Sequence, residues 1–368
     1  MQSIKFERIH IELTNQCNFS CSFCPYSLMS RAKKDIDFDV LHKALDEIAQ
    51  EKLADTVYFH LMGEPLLYSH LRDAVRLAKD KGLKVSITTN GEAFTPDLLG
   101  PVLNAGVDEI LFSIQTPDKK SFGLRKSAVK FDEYKKKICR AIAQALEHGG
   151  AKVILLFLTT PKASFFLSTN HHQIIMTKKE LRSRVLEWVD VVLQDPRLSA
   201  IKNKTDLSRN LFIKRLHAFS LYASNILNLT ENLIIETRVL GHWVHKGLTE
   251  AHVTEANIGT CEGLQTHFGI LSNGDLVFCC LDYDGKTCFG NIKDTTLKAA
   301  LEQTHVQAVL KGFKNFQIRH PYCKRCLGNV GFLNSLARQI GSIFYFKIYR
   351  PLWGRHQGKN HGTSKIEA

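Results

Sequence analysis

Short apolar segments and amphipathic segments alternate five times between Phe6 and Thr160. Apolar–polar alternation, or a short apolar run bounded by turn residues, predicts a strand, and apolar residues three and four apart predict a helix. Strands separated by helices pair in parallel, because each connection must cross back over the sheet. The predicted strands are Phe6–Leu13, Val57–Met62, Lys84–Thr89, Glu109–Gln115 and Val153–Thr160. The predicted helices are Phe38–Lys52, His70–Lys81, Thr95–Ala105 and Tyr134–His148.

The rest of the chain follows this alternation less closely. Residues 161–230 are mostly polar with helical spacing, and Asn232–Val239 supplies a sixth strand. We therefore expect an α/β fold, a partial (β/α)6 TIM-like barrel, over residues 1–240. Residues 255–330 are rich in cysteine and predict a small domain with a hairpin, Phe268–Leu271 and Asp275–Cys279. Residues 331–368 form a basic, aromatic tail.

Three cysteines, Cys17, Cys21 and Cys24, directly follow the first predicted strand. In a parallel α/β barrel the carboxyl ends of the strands carry the active site. Iron–sulfur clusters take cysteine thiolates, and three thiolates leave the fourth iron of a cubane cluster without a protein ligand. A zinc site or buried core cysteines are the alternatives. The three-residue spacing of the first pair suits a zinc knuckle poorly, and the flanking residues are polar.

The cysteine content also depends on the compartment. The N-terminus lacks the apolar core of a signal peptide, and no uncharged apolar run is long enough to span a membrane. We therefore expect a cytoplasmic protein, in which ten cysteines indicate metal or cluster ligation rather than disulfides. The formal net charge of +13 suits an anionic substrate, a membrane surface or nucleic acid, or is simply a solvated basic surface.

The spacing C-x3-C-x2-C, with Phe23 before the last cysteine and Glu12-Leu13-Thr14-Asn15 before the first, resembles the defining motif of the radical S-adenosylmethionine (SAM) superfamily. The resemblance implies a 4Fe–4S cluster on the three cysteines, with SAM chelated by the fourth iron through its amino and carboxylate groups. It also implies a flavodoxin- or ferredoxin-type electron donor. One electron then cleaves SAM, and the resulting 5′-deoxyadenosyl radical abstracts hydrogen from a substrate.

Segments after later strands also resemble cofactor-binding parts of this superfamily. Gly63-Glu64-Pro65 resembles the glycine-glutamate-proline motif that receives the methionine amine, although Met62 stands where a second glycine is common. Asn90 and Ser113 end the third and fourth strands and resemble barrel-top residues that contact the ribose or carboxylate of SAM. A turn at Asn90-Gly91 and a strand-end cap at Ser113 are the simpler interpretations.

Seven further cysteines lie at Cys139, Cys261, Cys279, Cys280, Cys288, Cys323 and Cys326. Cys139 falls in a predicted helix and is expected in the core. The others resemble the SPASM or twitch domains of the superfamily, which implies an auxiliary 4Fe–4S cluster on Cys261, Cys279, Cys323 and Cys326. Adjacent hairpin residues face opposite sides, so only one of Cys279 and Cys280 can join it, and Cys288 is a spare candidate. A structural zinc site uses the same four thiolates.

These features predict a radical SAM oxidoreductase that modifies a small alcohol or sugar-like molecule. A ribosomal-peptide maturase of the SPASM type is the first alternative, and a non-enzymatic zinc or nucleic-acid binding protein is the second. Nucleic acid is not an expected partner, because no recognised nucleic-acid motif accompanies the basic residues. For the tail, a helix on the barrel with a disordered end is favoured over peripheral contact with an anionic membrane or a partner. The sequence identifies no general base.

Overall fold

The computed structural model describes residues 5–161, 172–194, 196–198, 209–240 and 253–354. Six parallel strands lie side by side, and their order in the sheet follows their order in the chain. This arrangement confirms the predicted partial (β/α)6 barrel. The six strands are β1 (Arg8–Ile11), β2 (Thr56–Phe59), β3 (Lys84–Thr89), β4 (Glu109–Gln115), β5 (Lys152–Thr159) and β7 (Leu233–Val239).

Four of the helices that cover these strands begin and end within about three residues of the prediction, and a short helix after β4 was not predicted. These helices are α1 (Phe38–Gln50), α2 (Leu71–Asp80), α3 (Pro96–Asn104), α4 (Lys119–Phe122) and α5 (Phe131–His148). Capping explains several starts: the side chain of Thr95 accepts a hydrogen bond from the Leu98 amide, and that of Asp118 accepts from Lys120 and Ser121. Each longer helix buries one apolar stripe against the sheet.

In the described residues between β5 and β7 lie the helices α6 (Lys178–Gln194) and α7 (Arg209–His217), as the polar helical spacing predicts. These residues also contain a strand that the prediction missed, β6 (Asn225–Asn228), which pairs antiparallel with β7. Four residues with asparagine at both ends give too short a pattern to distinguish from a loop. Pairing with β7 therefore defines this strand.

At the opposite edge, the C-terminal hairpin joins the barrel sheet. β9 (His267–Ile270) pairs in parallel with β1, and β10 (Leu276–Val277) pairs antiparallel with β9. The result is one nine-stranded sheet in the order β10-β9-β1-β2-β3-β4-β5-β7-β6. The hairpin was predicted correctly, but its pairing with β1 was not. This pairing places the hairpin cysteines beside the strand that leads into the first cysteine loop.

The remaining elements surround the hairpin. They are β8 (Val253–Thr254), α8 (Leu297–Glu302), α9 (Thr304–Lys314), α10 (Pro321–Leu327), β11 (Asn329–Val330), α11 (Phe332–Phe344) and a π-helix (Tyr345–Gly354). α11 is the helix predicted in the tail, and the predicted disordered end lies outside the described residues. None of the described helices is long and apolar enough to cross a membrane.

α11 has an unusual distribution of polarity. Polar residues Ser335, Gln339 and Ser342 are buried on it. The side-chain oxygen of Gln339 accepts hydrogen bonds from the backbone amides of Asn257 and Ile258, at 3.1 and 3.0 Å. The helix is therefore held to the segment before β9 by hydrogen bonds, and its apolar residues face outward.

Candidate active site

A cavity of about 300 Å³ opens at the carboxyl ends of the parallel strands. It is lined by the three cysteines Cys17, Cys21 and Cys24, and by Phe23, Gly63, Glu64, Asn90 and Ser113. These are all of the predicted SAM-site residues except Pro65, which is buried at the start of a short 3-10 turn, Pro65–Leu67. The sequence therefore predicted which loops meet at this cavity.

The cysteine loop is held in place by hydrogen bonds to its backbone and to one thiol. The Cys17 amide donates to the Tyr26 hydroxyl at 3.0 Å, and the Phe19 amide donates to the Cys17 sulfur at 3.5 Å. The pKa of the Cys17 thiol is raised to about 12, mainly by burial and to a smaller extent by Glu64, Cys21 and Cys24, whereas the Phe19 amide acts in the opposite direction. Three soft donors at one cavity fit a cationic metal cluster, which favours the thiolate form.

Gly63 makes a close backbone approach that no other residue permits. Its φ is +76°, and a Cβ atom would lie 2.2 Å from the carbonyl oxygen of Thr14 and 2.8 Å from that of Gln16. The next amide, of Glu64, donates to the same Gln16 carbonyl at 2.7 Å. The glycine is thus required for contact with the cysteine loop itself.

Glu64 is a buried carboxylate that ties β2 to β3. Its Oε1 accepts from the Thr89 hydroxyl at 2.6 Å and the Leu66 amide at 3.0 Å, and its Oε2 accepts from the Asn90 amide at 2.6 Å. Burial raises the pKa of this carboxyl group, and these three hydrogen bonds act in the opposite direction. Because Oε2 accepts only one of them, it can accept another from a ligand in the cavity.

Asn90 connects the end of β3 to the cysteine loop. Its side-chain amide donates to the Asn18 side chain at 2.8 Å and lies 3.9 Å from the Cys17 sulfur. Its own carbonyl accepts from the buried Tyr134 hydroxyl at 2.8 Å. Asn90 therefore does more than form the turn that its sequence also suggests.

Arg125 is a cavity residue that sequence reasoning missed. Its side chain is almost fully buried, and Nη1 donates to the carbonyl of Ser113 at 2.8 Å and to the side chain of Gln115 at 2.7 Å. Its guanidinium lies 4.8 Å from the Phe19 ring, and its Nε has no hydrogen-bond partner. No motif surrounds it in the sequence. A buried cation in a cavity is a ready site for an anionic group.

His60 and Arg238 line another part of the same cavity and were also missed. The pKa of His60 is lowered to about 4, mainly by burial and also by the charges of Arg238 and Arg8. His60 is therefore neutral near pH 7. Arg238 forms an ion pair with Glu236, its Nε lying 2.5 Å from Oε1.

A buried ion pair joins the cysteine loop to the hairpin. Both terminal nitrogens of Arg31 donate to the Glu12 carboxylate at 2.8 Å. The same carboxylate accepts from the Ser272 hydroxyl at 2.8 Å. Because Ser272 follows β9, these contacts couple the position of the hairpin to that of the loop that carries the three cysteines.

The second group of cysteines gathers behind the hairpin. Burial raises the pKa of Cys279, and the nearby thiolates of Cys261, Cys280, Cys326 and Cys323 raise it further. Cys323 and Cys326 lie three residues apart on α10, so they share one face. The four predicted auxiliary ligands are therefore brought together, Cys279 among them.

The other three cysteines are not among the four predicted auxiliary ligands, although Cys280 lies near Cys279 and Cys261. The sulfur of Cys280 is 3.9 Å from Nε2 of His267. Cys288 is exposed, and its thiol donates to the carbonyl of Gly290 at 3.3 Å. Cys139 is buried on α5, as expected for a core residue.

Two family profiles match the chain. The profile described as the radical SAM superfamily matches residues 11–162, and the profile described as an iron–sulfur cluster-binding domain, SPASM, matches residues 261–327. The chain belongs to the radical SAM superfamily. The radical SAM domain implies a 4Fe–4S cluster and SAM, and the SPASM domain implies auxiliary iron–sulfur clusters. Both resemblances inferred from the cysteine spacing are confirmed.

Individual radical SAM proteins are similar over shorter stretches. A "tungsten-containing aldehyde ferredoxin oxidoreductase cofactor-modifying protein" of Pyrococcus furiosus is 31% identical over 29% of this chain and 30% of its own. An "S-adenosyl-L-methionine-dependent 2-deoxy-scyllo-inosamine dehydrogenase" of Niallia circulans is 28% identical over 32% of this chain and 48% of its own. The alignments thus span less than half of these relatives.

The fold as a whole has solved counterparts. The structure of anSMEcpe with bound AdoMet superimposes with a TM-score of 0.52, covering 94% of this chain and 97% of that chain at 14% identity. At this identity the likeness establishes a shared fold.

Proposed function

We propose that this protein is a radical SAM oxidoreductase that acts on a small alcohol or sugar-like substrate. Cys17, Cys21 and Cys24 would hold a 4Fe–4S cluster, and the adjoining cavity would hold SAM. The observation that carries the proposal is that these three cysteines line one cavity with Glu64 and Asn90. When bound, the reduced cluster and SAM together supply a radical able to abstract hydrogen from carbon.

Different residues of the cavity would bind different parts of SAM and the substrate. Oε2 of Glu64 is placed to accept a hydrogen bond from the SAM ammonium group, a charge-assisted contact. Arg125 offers its unpartnered Nε to a carboxylate of SAM or substrate. Phe23, Leu156 and Leu158 form apolar walls that exclude water from the reacting atoms.

The substrate would occupy the part of the cavity near His60 and Arg238. Neutral His60 is able to accept a hydrogen bond from a substrate hydroxyl group, whose proton must leave when an alcohol is oxidised. The dehydrogenase of 2-deoxy-scyllo-inosamine among the relatives supports this substrate class. A peptide maturase remains the second candidate because the cavity opens to the surface.

For the second cysteine group we propose an auxiliary 4Fe–4S cluster on Cys261, Cys279, Cys323 and Cys326. Four protein thiolates leave no open iron, which suits electron transfer rather than substrate binding. The electron removed from substrate would pass to this cluster, and a flavodoxin- or ferredoxin-type protein would reduce the first one. We accordingly propose the division of the chain into a barrel (1–240), an auxiliary-cluster domain (255–330) and a tail (331–368).

Anaerobic purification followed by reduction with dithionite tests the enzymatic proposal. We expect brown protein with about eight irons per chain, as two cubane clusters require, that cleaves SAM. The substrate class is then tested by incubation with aminocyclitols and, separately, with short peptides, and by mass spectrometry for a loss of two hydrogens. Colourless protein that contains only zinc and leaves SAM intact would contradict the enzymatic assignment.

We further propose that α11 lies on an anionic membrane surface. Its exposed face carries Phe332, Leu333, Ile340 and Phe344, which are each more than half exposed. Large apolar side chains in one stripe mark an interaction surface. The residues from Gly331 onward include six Lys or Arg and one acidic residue, which favours an anionic partner.

Sedimentation with lipid vesicles tests the membrane proposal. We expect the protein to bind vesicles that contain phosphatidylglycerol and not vesicles of phosphatidylcholine alone, with binding weakened by salt. Leu333→Glu should abolish binding, whereas Tyr222→Glu, at an exposed residue remote in sequence, should not. Concentration-dependent dimerisation that Leu333→Glu abolishes, without vesicle binding, would show that a second copy covers this face instead.

A further inference from the structure

Two histidines and a cysteine that have no role in the cluster sites meet at the edge of the barrel. They are His10 on β1, His267 on β9 and Cys280 after β10. One ligand atom from each residue lies within 4.8 Å of the other two. His10 and His267 are buried, and Cys280 is partly buried. The parallel pairing of strands β1 and β9 brings these residues together from positions about 260 residues apart in the sequence.

The hydrogen bonds around these side chains leave donor atoms available for a metal. Nδ1 of His267 lies 3.1 Å from the Thr266 hydroxyl, a contact that fixes the ring and directs Nε2 toward the Cys280 sulfur, 3.9 Å away. Nε2 of His10 accepts from Nε of Arg8 at 3.2 Å, and Nδ1 of His10 has no hydrogen-bond partner of normal geometry, although the His60 backbone is near enough to raise the pKa of the ring. A buried polar atom without a partner is costly unless a ligand satisfies it.

We propose that His10, His267 and Cys280 bind a single divalent transition-metal ion, of which Zn²⁺ is the representative. Imidazole and thiolate are the ligands that Zn²⁺ prefers, and three protein ligands leave one tetrahedral position for water. Ligand atoms of such a site are about 3.4–3.8 Å apart, given Zn–N and Zn–S bonds of about 2.0–2.3 Å. The spacing here is slightly wider, so small side-chain rotations would complete the site.

The nearest charges are arginines, and a bound cation would require Arg8 to leave its contact with Nε2 of His10. Arg8 also pairs with Glu7 at 3.5 Å, and Arg238 pairs with Glu236, so acidic partners offset part of both positive charges. The Cys280 thiolate would offset one of the two positive charges of the metal. The Thr266 hydroxyl would support the site, because its contact with Nδ1 of His267 orients the imidazole for metal binding.

The proposed ion is separate from both cluster sites. None of the three side chains lines the cavity that contains Cys17, Cys21 and Cys24. Cys280 lies close enough to Cys261 and Cys279 to affect their charges, but its sulfur lies 3.9 Å from Nε2 of His267, so we assign Cys280 to the ion and Cys279 to the other group. The ion would link β1 of the barrel to β9 and to the segment after β10, and so hold the hairpin in register with the barrel.

Metal analysis of the intact holoprotein tests the proposal. The protein is purified anaerobically with its clusters full, dialysed against micromolar zinc and then against metal-free buffer, and its zinc and iron contents are measured together. We expect one zinc per chain, with a zinc-edge X-ray absorption spectrum that fits two nitrogen ligands and one sulfur ligand. Absence of retained zinc, or a shell of sulfur alone, would overturn the proposal.

Variants locate the ion. His267→Ala and Cys280→Ala should each lose the zinc and keep the iron content of the wild type, whereas Cys288→Ala should keep both. Retention of zinc by both ligand variants would also overturn the proposal. If either variant loses iron, or loses the circular dichroism signal of the folded protein, the variants are replaced by a test on the wild-type holoprotein with Co²⁺ bound. A sulfur-to-cobalt charge-transfer band supports the site, and its absence contradicts it.

Discussion

The two cysteine groups of this protein differ in how they are built and in what they face. Cys17, Cys21 and Cys24 lie on one loop and line an open cavity. The second group combines two cysteines around the hairpin with the pair Cys323 and Cys326 on α10, and none of its members lines that cavity. The first group offers three thiols beside that cavity, and the second offers four thiols that the described part of the chain places away from it. This contrast supports the proposal that the first site binds a reactant and the second carries electrons.

The charged residues beside the two cysteine groups also differ. Glu64 and Arg125 both line the cavity beside the first group, which suits a zwitterionic ligand with an ammonium and a carboxylate. At the second group, the Arg338 guanidinium lowers the pKa of Cys326 against the opposing effect of burial, which raises it to about 12. A single cation beside the thiols would compensate part of the negative charge of a four-thiolate cluster.

The largest effect is expected from Cys24→Ala. Loss of one of only three ligands should prevent assembly of the first cluster, so SAM cleavage should fall below detection and iron should fall by about four per chain. Iron content and SAM cleavage after dithionite reduction measure this. Cys288→Ala is the control and should behave as the wild type. A Cys24→Ala protein that still cleaves SAM would end the distinction between the two groups.

Cys326→Ala should separate the two functions. It should remove about four irons and abolish turnover of substrate, yet leave reductive cleavage of SAM at the first site. Anaerobic assays that follow SAM cleavage and substrate oxidation in the same reaction measure the separation. Equal loss of both activities, with the first cluster intact, would show that the second group serves SAM binding as well.

Gly63→Ala tests the contact between β2 and the cysteine loop. The new Cβ would overlap the Thr14 carbonyl, so we expect lost stability and poor assembly of the first cluster. Gly82→Ala is a matched control, because its φ is also +76° but nothing lies within 4 Å of its Cβ position. The control should lower the free energy of unfolding by about 1–2 kcal/mol, the cost of an alanine in the left-handed conformation. Thermal unfolding and iron content measure both, and equal effects would contradict the account.

Glu64→Gln should have the smallest effect of the four. It keeps the shape of the side chain and loses its charge, so the KM for SAM should rise about 10- to 100-fold, as expected for a charge-assisted hydrogen bond. Iron content should stay unchanged. Steady-state SAM cleavage measures the KM, with Glu187→Gln on the exposed face of α6 as the control. An unchanged KM would show that Glu64 only joins β2 to β3.

Local sequence pattern explains what was predictable here. β3 and β4 have the predicted bounds, because turn residues and helix caps define both ends of each strand. The contents of the cavity followed from the rule that loops after parallel strands meet at one edge. The resemblance placed Gly63 at the SAM site, and the structure adds that this glycine packs against the cysteine loop.

Long-range pairing explains what was not predictable. The alignment of β9 with β1, and with it the meeting of His10 and His267, leaves no periodic signal in either segment. Arg125 and His60 reach the cavity through the fold alone, without a motif around them. Selection of Cys279 over Cys280 for the second group depends on which way the chain turns after β10, and two adjacent cysteines do not reveal this.

Electron paramagnetic resonance of the reduced protein, with and without SAM, tests the central claim most directly. The measurement uses Cys323→Ala/Cys326→Ala protein, in which only the first cluster would remain. The account predicts one reduced 4Fe–4S signal per chain whose g-values change when SAM is added, because SAM binds the iron that lacks a cysteine ligand. A signal that SAM leaves unchanged, or that disappears in this variant while Cys24→Ala retains it, would contradict the account.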